Sequence, residues 1–200
     1  MGRSAGRLQS VCVFCGSSDA ADPAFLDGAT KLGEALAAAG LRLVYGGGGV
    51  GLMGACARAA HEAGGEVLGV IPHFLTGRER ALETVETVVV GSMHERKQIM
   101  FEQADGFVVL PGGIGTLEEI VELLSWRRLD LHAKPVVFLN PRDFWRPLFD
   151  LFQHTVDHNL TPASFMDSWI AVDRAEDVVS ALLGRKSERP DVAPAAARLT

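Results

Sequence analysis

The sequence predicts an α/β fold: a Rossmann-like parallel sheet with helices on both faces, in a single domain. Three observations predict it. Short β-branched runs alternate with longer amphipathic stretches along most of the chain, the pattern of a parallel sheet covered by helices. The helical stretches carry recognisable ends, and two strands run directly into glycine-rich loops that are followed at once by a helix.

Strands are expected at Ser10–Phe14, Arg42–Tyr45, Glu66–Ile71, Thr84–Val90, Gly106–Leu110, Pro135–Leu139 and Ile170–Val172. The first helix starts at Asp22-Pro23, an N-cap followed by proline at the first helical position, and stops at Gly40. A second begins near Gly51 and ends at Gly64-Gly65. Ser92 to Glu95 and Thr116 to Glu119 both fit the S/T-x-x-E capping box at a helix start. Trp145–His158 and Ala175–Leu183 complete the set. Residues 10–183 form one domain, with a flexible N-terminus at 1–9 and a flexible tail from 184 to 200, where periodicity ends.

Composition narrows the function. With 48% hydrophobic residues in a chain of 200, disorder as the main state is excluded. Nineteen Lys+Arg against 25 Asp+Glu leave a net charge of -6, so no global positive field holds nucleic acid or an anionic membrane. Any anion must be caught locally. No apolar run reaches the roughly 20 residues that span a bilayer, and Met1–Gln9 is too short and polar for a signal peptide, so a cytoplasmic protein is expected. Cys12, Cys15 and Cys56 are too few and odd in number for a disulfide framework. Although Cys12-Val-Phe-Cys15 matches C-x-x-C, it lies in a buried-strand run and reads as core.

The two glycine loops carry the chemistry. Arg42–Tyr45 leads into Gly46-Gly47-Gly48-Gly49-Val50-Gly51-Leu52-Met53-Gly54, and Gly106–Leu110 leads into Pro111-Gly112-Gly113-Ile114-Gly115-Thr116. Strand, glycine loop and helix N-terminus in that order make a local anion site, because backbone N–H groups and the helix dipole converge where no Cβ obstructs. In an open parallel sheet both loops lie at the carboxyl edge. The alternative use of such a loop is a tight turn or close packing. The G-x-G-x-x-G pattern occurs twice in the first loop, but Glu66 begins its strand rather than ending it, which disfavours NAD. Neither loop ends in Gly-Lys-Ser/Thr, which disfavours a triphosphate. A monophosphate is the economical ligand.

Near these loops stand Arg96 and Glu119. Glu119 has two readings: reciprocal capping with Thr116, or an ionised carboxylate kept charged by the positive helix end, suited to stabilising a developing cation or orienting water. Departure of a purine from ribose creates such a cation. Arg96 supplies the complementary charge, toward Glu119 or the phosphate; its plain alternative is a solvated helix face.

Pro111–Glu119 matches PGGxGTxxE, and Met93-His94-Glu95-Arg96-Lys97 matches the upstream Arg-Lys segment, of the Lonely Guy (LOG) cytokinin-activating phosphoribohydrolases, which this chain resembles. The resemblance extends through Val11–Ser18, Gly47–Gly54 and Trp126 to about Leu160. It implies a Rossmann-like homodimer that works without metal or cofactor and hydrolyses N6-modified adenosine 5′-monophosphates to free base and ribose 5-phosphate. It implies Arg96 and Glu119 as the catalytic pair. Substrate contacts implied by matching position are Ser17, Gly47, Gly48, Gly51, Met93, Lys97, Gly112, Gly113, Ile114, Gly115, Thr116 and Ser125. Two places depart from the pattern. After Pro72 this chain has His73-Phe74 where plant members have an acidic substrate contact, with Glu79 beyond; Ser125 stands where relatives often have Thr. Members have also carried the label lysine decarboxylase, but none of Lys31, Lys97, Lys134 and Lys186 has a context that argues for a Schiff base. His154 and His158, four apart, read as surface or interface residues, and Ser17-Ser18 lacks a nucleophile's frame. The rival to an enzyme is a non-catalytic nucleotide- or cofactor-binding carrier with the same loops.

Overall fold

Successive side chains on a strand point to opposite faces, and in β1 (Ser10–Phe14) all five residues are buried. Both faces therefore need a cover. The computed structural model, which describes residues 8–77 and 80–184, supplies one on each side. Val11 and Val13 pack with helices α1 (Pro23–Ala38), α2 (Gly51–Glu62) and α6 (Ala175–Leu182). Cys12 and Phe14 pack with α3 (Met93–Gln103), α4 (Ile114–Arg128) and α5 (Arg146–Asp157).

The other strands are β2 (Arg42–Tyr45), β3 (Val67–Pro72), β4 (Glu86–Val90), β5 (Gly106–Val109), β6 (Val136–Leu139) and β7 (Ile170–Val172). They form one sheet of order β4-β3-β2-β1-β5-β6-β7, with every neighbouring pair parallel. The expected doubly wound α/β architecture is what the chain adopts. Because the chain steps outward from β1 to β4 and then returns to β5 on the other side of β1, the direction of winding reverses between β1 and β5. Loops splay apart at such a switch point and leave a crevice.

Helix starts follow their caps. The Asp22 carboxylate accepts from the Ala24 N–H at 2.8 Å, and the Ser92 hydroxyl accepts from the Glu95 N–H at 3.1 Å. The Glu95 carboxylate reaches back to the Gly91 N–H at 2.9 Å, one residue before the cap. The second expected capping box does not form. Helix α4 begins at Ile114 with Gly113 as its cap, so Thr116 is already its third residue and Glu119 lies beyond its first turn. The physical reason is the Thr116 side chain, which turns down over Gly112 instead of capping.

Smaller shifts are at strand ends. β4 starts at Glu86 rather than Thr84, and β3 runs through Pro72, in register with Val90. At the N-terminus, Leu8 packs against the core and the Gln9 N–H donates to the Asp105 carboxylate at 3.0 Å, so order begins before Ser10. Residues 1–7 and 185–200 of the expected tails, and Glu79, lie outside the described residues. All three cysteines are free and buried; burial pushes the Cys56 thiol up to about 12, so it stays protonated, as a core thiol does. His154 and His158, both exposed, meet at the end of α5 with rings tilted by 51° and centroids 4.2 Å apart. Among the described residues no cluster of three metal-ligating side chains forms, and no helix is long and apolar enough to cross a membrane.

Candidate active site

The carboxyl ends of β1, β2 and β5 bring three connections together. Gly16, just past β1, ties the other two: its N–H donates to the Pro111 carbonyl at 3.1 Å, and its carbonyl accepts from the Met53 N–H at 3.2 Å.

The first glycine loop, Gly46–Val50, is wired into the protein. Gly47 and Gly51 have φ of +79° and +57°, conformations that favour glycine. A Cβ on Gly51 would lie 2.5 Å from the Ser17 carbonyl carbon. Gly49 donates to the Arg80 carbonyl at 2.9 Å, and the neighbouring Gly48 forms a β-bridge with Ala81. Gly48 directs its N–H at the Met53 sulfur, 3.2 Å away. At the start of α2 the Asp19 carboxylate accepts from the Gly51 N–H at 3.0 Å, while its other oxygen meets Arg80 at 2.9 Å. The place where an external anion would dock on α2 is thus held by the chain's own carboxylate.

The second loop is open. Gly113, Ile114 and Gly115 are exposed, Ile114 to 84%, and nothing lies within 4 Å of a Cβ built on Gly113 or Gly115. Among the described residues, the N–H groups of Gly113, Ile114 and Gly115 have no hydrogen-bond acceptor; the α4 ladder starts with the Leu117 N–H donating to Gly113. Three unpaired donors at a helix N-terminus with clear approach make an anion seat. The expectation that the two loops act alike is therefore corrected: one is closed by its own side chains, the other is open.

Glu119 stands on the helix that the open turn starts, and Arg96 on the neighbouring α3. Helix α3 carries Arg96 inward, where it is only 4% exposed, with Nη2 donating to the Gly46 carbonyl at 3.0 Å and Nη1 lying 3.8 Å from the Met93 sulfur. Its Nε is buried without a partner among the described residues. Glu119, half-buried on the second turn of α4, lies about 7 Å along the axis from Ile114 at 1.5 Å per residue. Both charges are felt at β1: burial pushes the Cys12 and Cys15 thiols well up, the Glu119 charge adds to the rise, and the Arg96 charge opposes it. The two side chains, 23 residues apart in sequence, thus both lie within electrostatic reach of β1.

Other expected contacts fall differently. Lys97 pairs with Glu118 and, at 2.8 Å, with Glu122, tying α3 to α4. Thr116 is buried beneath the open turn rather than presented on it. Ser17 is half-buried against Gly51. Ser125 is not brought to this edge: it lies about 16 Å down α4 and lines a groove of about 320 Å³ with Val121, Leu124, Phe152, Leu160 and Phe165. Asp19, Arg80 and the carbonyl of Gly46 were not expected here. Their contacts join residues 32 to 61 positions apart, which no local pattern reports.

Fold and edge together define a doubly wound α/β protein with an anion-receptive helix start at its switch point. The family described as "Possible lysine decarboxylase" matches residues 53–182. A protein of Oryza sativa subsp. japonica named "Probable cytokinin riboside 5'-monophosphate phosphoribohydrolase" is 45% identical over 88% of this chain and 78% of its own length. A cytokinin riboside 5′-monophosphate phosphoribohydrolase of Arabidopsis thaliana is 42% identical over the same shares. The chain belongs to the LOG family of phosphoribohydrolases. Among solved structures, the molybdenum cofactor binding protein of Rippkaea orientalis superposes with a TM-score of 0.67 at 25% identity, covering 89% of this chain and 97% of that one.

The decarboxylase label does not fit the lysines. Lys31 pairs with Asp27 on the outer face of α1, Lys97 is held by two carboxylates, and Lys134 donates to the Phe101 carbonyl at 2.6 Å. None of the three offers an uncommitted amine at the glycine loops for a Schiff base with pyridoxal phosphate.

Proposed function

We propose that this protein is an N-glycosyl hydrolase. It cleaves the bond between base and ribose in N6-modified adenosine 5′-monophosphates, releasing an adenine-type base and ribose 5-phosphate. The observation that carries the reading is the open start of α4 with Glu119 about one and a half turns along the same helix, at the edge where Arg96 is buried against Gly46. The 5′-phosphate takes the N–H groups of Gly113, Ile114 and Gly115, with the bare Gly113 and Gly115 leaving the approach clear. Held there, the ribose presents C1′ toward Glu119. As the base departs, the carboxylate stabilises the cation that develops at C1′ and directs a water to it; the oxygen of that water joins C1′, and the departing base takes up a proton. Arg96 orients the nucleotide with respect to Glu119.

The curated relatives named as phosphoribohydrolases, at 38–47% identity, support this reading over a carrier. A groove between α4 and the segment that packs against it, with Val121 and Leu160 exposed at its edge, suits a second copy, and a homodimer is part of the proposal. The protein is incubated with AMP and with isopentenyl-AMP and released base is followed by chromatography. Base from either, lost in Glu119→Gln while nucleotide is still bound, supports hydrolysis. Tight binding with no base from either compound points to the carrier instead.

A further inference from the structure

Arg96 is held in an unusual way for a buried arginine: no carboxylate contact is needed to explain where it lies. Its Nη2 donates to the backbone carbonyl of Gly46, fifty residues earlier, and the guanidinium occupies the space where a side chain on residue 46 would begin. A Cβ there would lie 1.9 Å from Nη2 and 3.1 Å from Cζ. Gly46 has no positive φ, unlike Gly47 and Gly51. Its backbone therefore admits any residue, and the requirement for glycine comes chiefly from the guanidinium, the Met53 sulfur at 3.1 Å being a lesser contact at the end of a flexible side chain. Met93, one turn before Arg96 on α3, covers Nη1 with its sulfur. With Nη2 fixed and Nη1 covered, the plane of the group is set and the unpartnered Nε is left as its uncommitted donor among the described residues.

We propose that Gly46 is a positioning residue for Arg96. Its carbonyl and its missing side chain form a seat that fixes the guanidinium before a nucleotide arrives. The proposal rests on the reading of Arg96 as the group that orients the nucleotide. It also separates two glycines adjacent in sequence: Gly47 serves the turn, and Gly46 serves the arginine.

The test uses Gly46→Ala, Arg96→Ala and the double variant, with kinetics on isopentenyl-AMP and thermal melts without ligand. Gly46→Ala is expected to lower kcat about 100-fold, the scale of a 1 Å misplacement, with a smaller change in KM. Added guanidinium ion is expected to restore part of the turnover of Arg96→Ala by entering the vacated seat, and to restore none in the double variant, whose methyl group fills it. The melting temperature should fall on adding Gly46→Ala to the natural chain and fall much less on adding it to Arg96→Ala, because only the flexible Met53 sulfur then crowds the methyl. A kcat within twofold of the natural protein in Gly46→Ala, equal rescue of the single and double variants, or an equal loss of melting temperature in both backgrounds overturns the proposal. If the natural protein releases no base, the hydrolase reading falls, and the melting cycle still decides whether Gly46 and Arg96 act as a unit.

Discussion

The two glycine-rich turns occupy equivalent places, each between a central strand and a helix at the same edge of the sheet, yet they use glycine for opposite ends. In the first, Gly46 to Gly48 are buried, and the N–H groups of Gly49, Gly51 and Met53 go to Arg80, Asp19 and Gly16. Glycine there allows left-handed backbone and close contact. In the second, Gly113 and Gly115 face solvent with ordinary backbone and nothing near them. Glycine there keeps the way clear for something else. The difference teaches that a strand–glycine–helix pattern becomes a binding site only if its donors are left unspent.

The comparison can be broken most decisively at Glu119, which belongs to the open turn. Glu119→Gln should cut kcat by about 10²–10³-fold, the range for loss of one preorganised electrostatic group, while nucleotide affinity by calorimetry changes little. Unchanged turnover would detach the chemistry from the second turn.

Matched alanine substitutions come next. Gly51→Ala meets both a φ of +57° and the Ser17–Ser18 backbone at 2.5–2.8 Å, and should cost about 2–3 kcal/mol in denaturant unfolding. Gly115→Ala meets nothing, so stability should hold or rise by up to about 1 kcal/mol, while KM increases several-fold because the methyl group stands at the anion seat. Equal stability losses would erase the distinction between the turns.

Asp19→Ala should lose about 1 kcal/mol by uncapping the Gly51 N–H. Its ion pair with Arg80, with both side chains more than half exposed, adds little to that.

The smallest effect concerns Lys97. Partial burial pulls its ammonium down, but hydrogen bonds to Glu118 and Glu122 outweigh this and raise its pKa above 10.5. A raised folded-state pKa means the stabilisation is fully present below about 10.5 and is lost as pH rises through the folded value. The stability gap between the natural protein and Lys97→Ala, under about 1 kcal/mol, should therefore stay constant through neutral pH and close only in strong alkali.

Much of this was legible in the chain itself. Seven runs became seven strands, and the five inner ones were plainest because parallel strands covered on both faces leave an unbroken hydrophobic mark. Asp22-Pro23 and Ser92–Glu95 were readable because a cap and its target lie within three residues of each other. The start of α4 was misread because Thr116-x-x-Glu119 imitates a cap, while the true start at Ile114 follows glycines that carry no helical signal of their own. Arg96 and Glu119 could be named from a motif. That Arg96 rests on Gly46, or that Asp19 closes the first turn, could not, since each contact depends on where separate strands place their ends.

Gly16 gives the edge one more property. Because a single residue hooks Pro111 on one side and Met53 on the other, the spacing of the whole crevice is set by the length of one strand. Lengthening the chain by one residue ahead of Gly16 would unfasten both neighbours together, whereas the same insertion past Asp22 would reach neither. Tolerance to changes in chain length along this connection should accordingly switch on within a few residues.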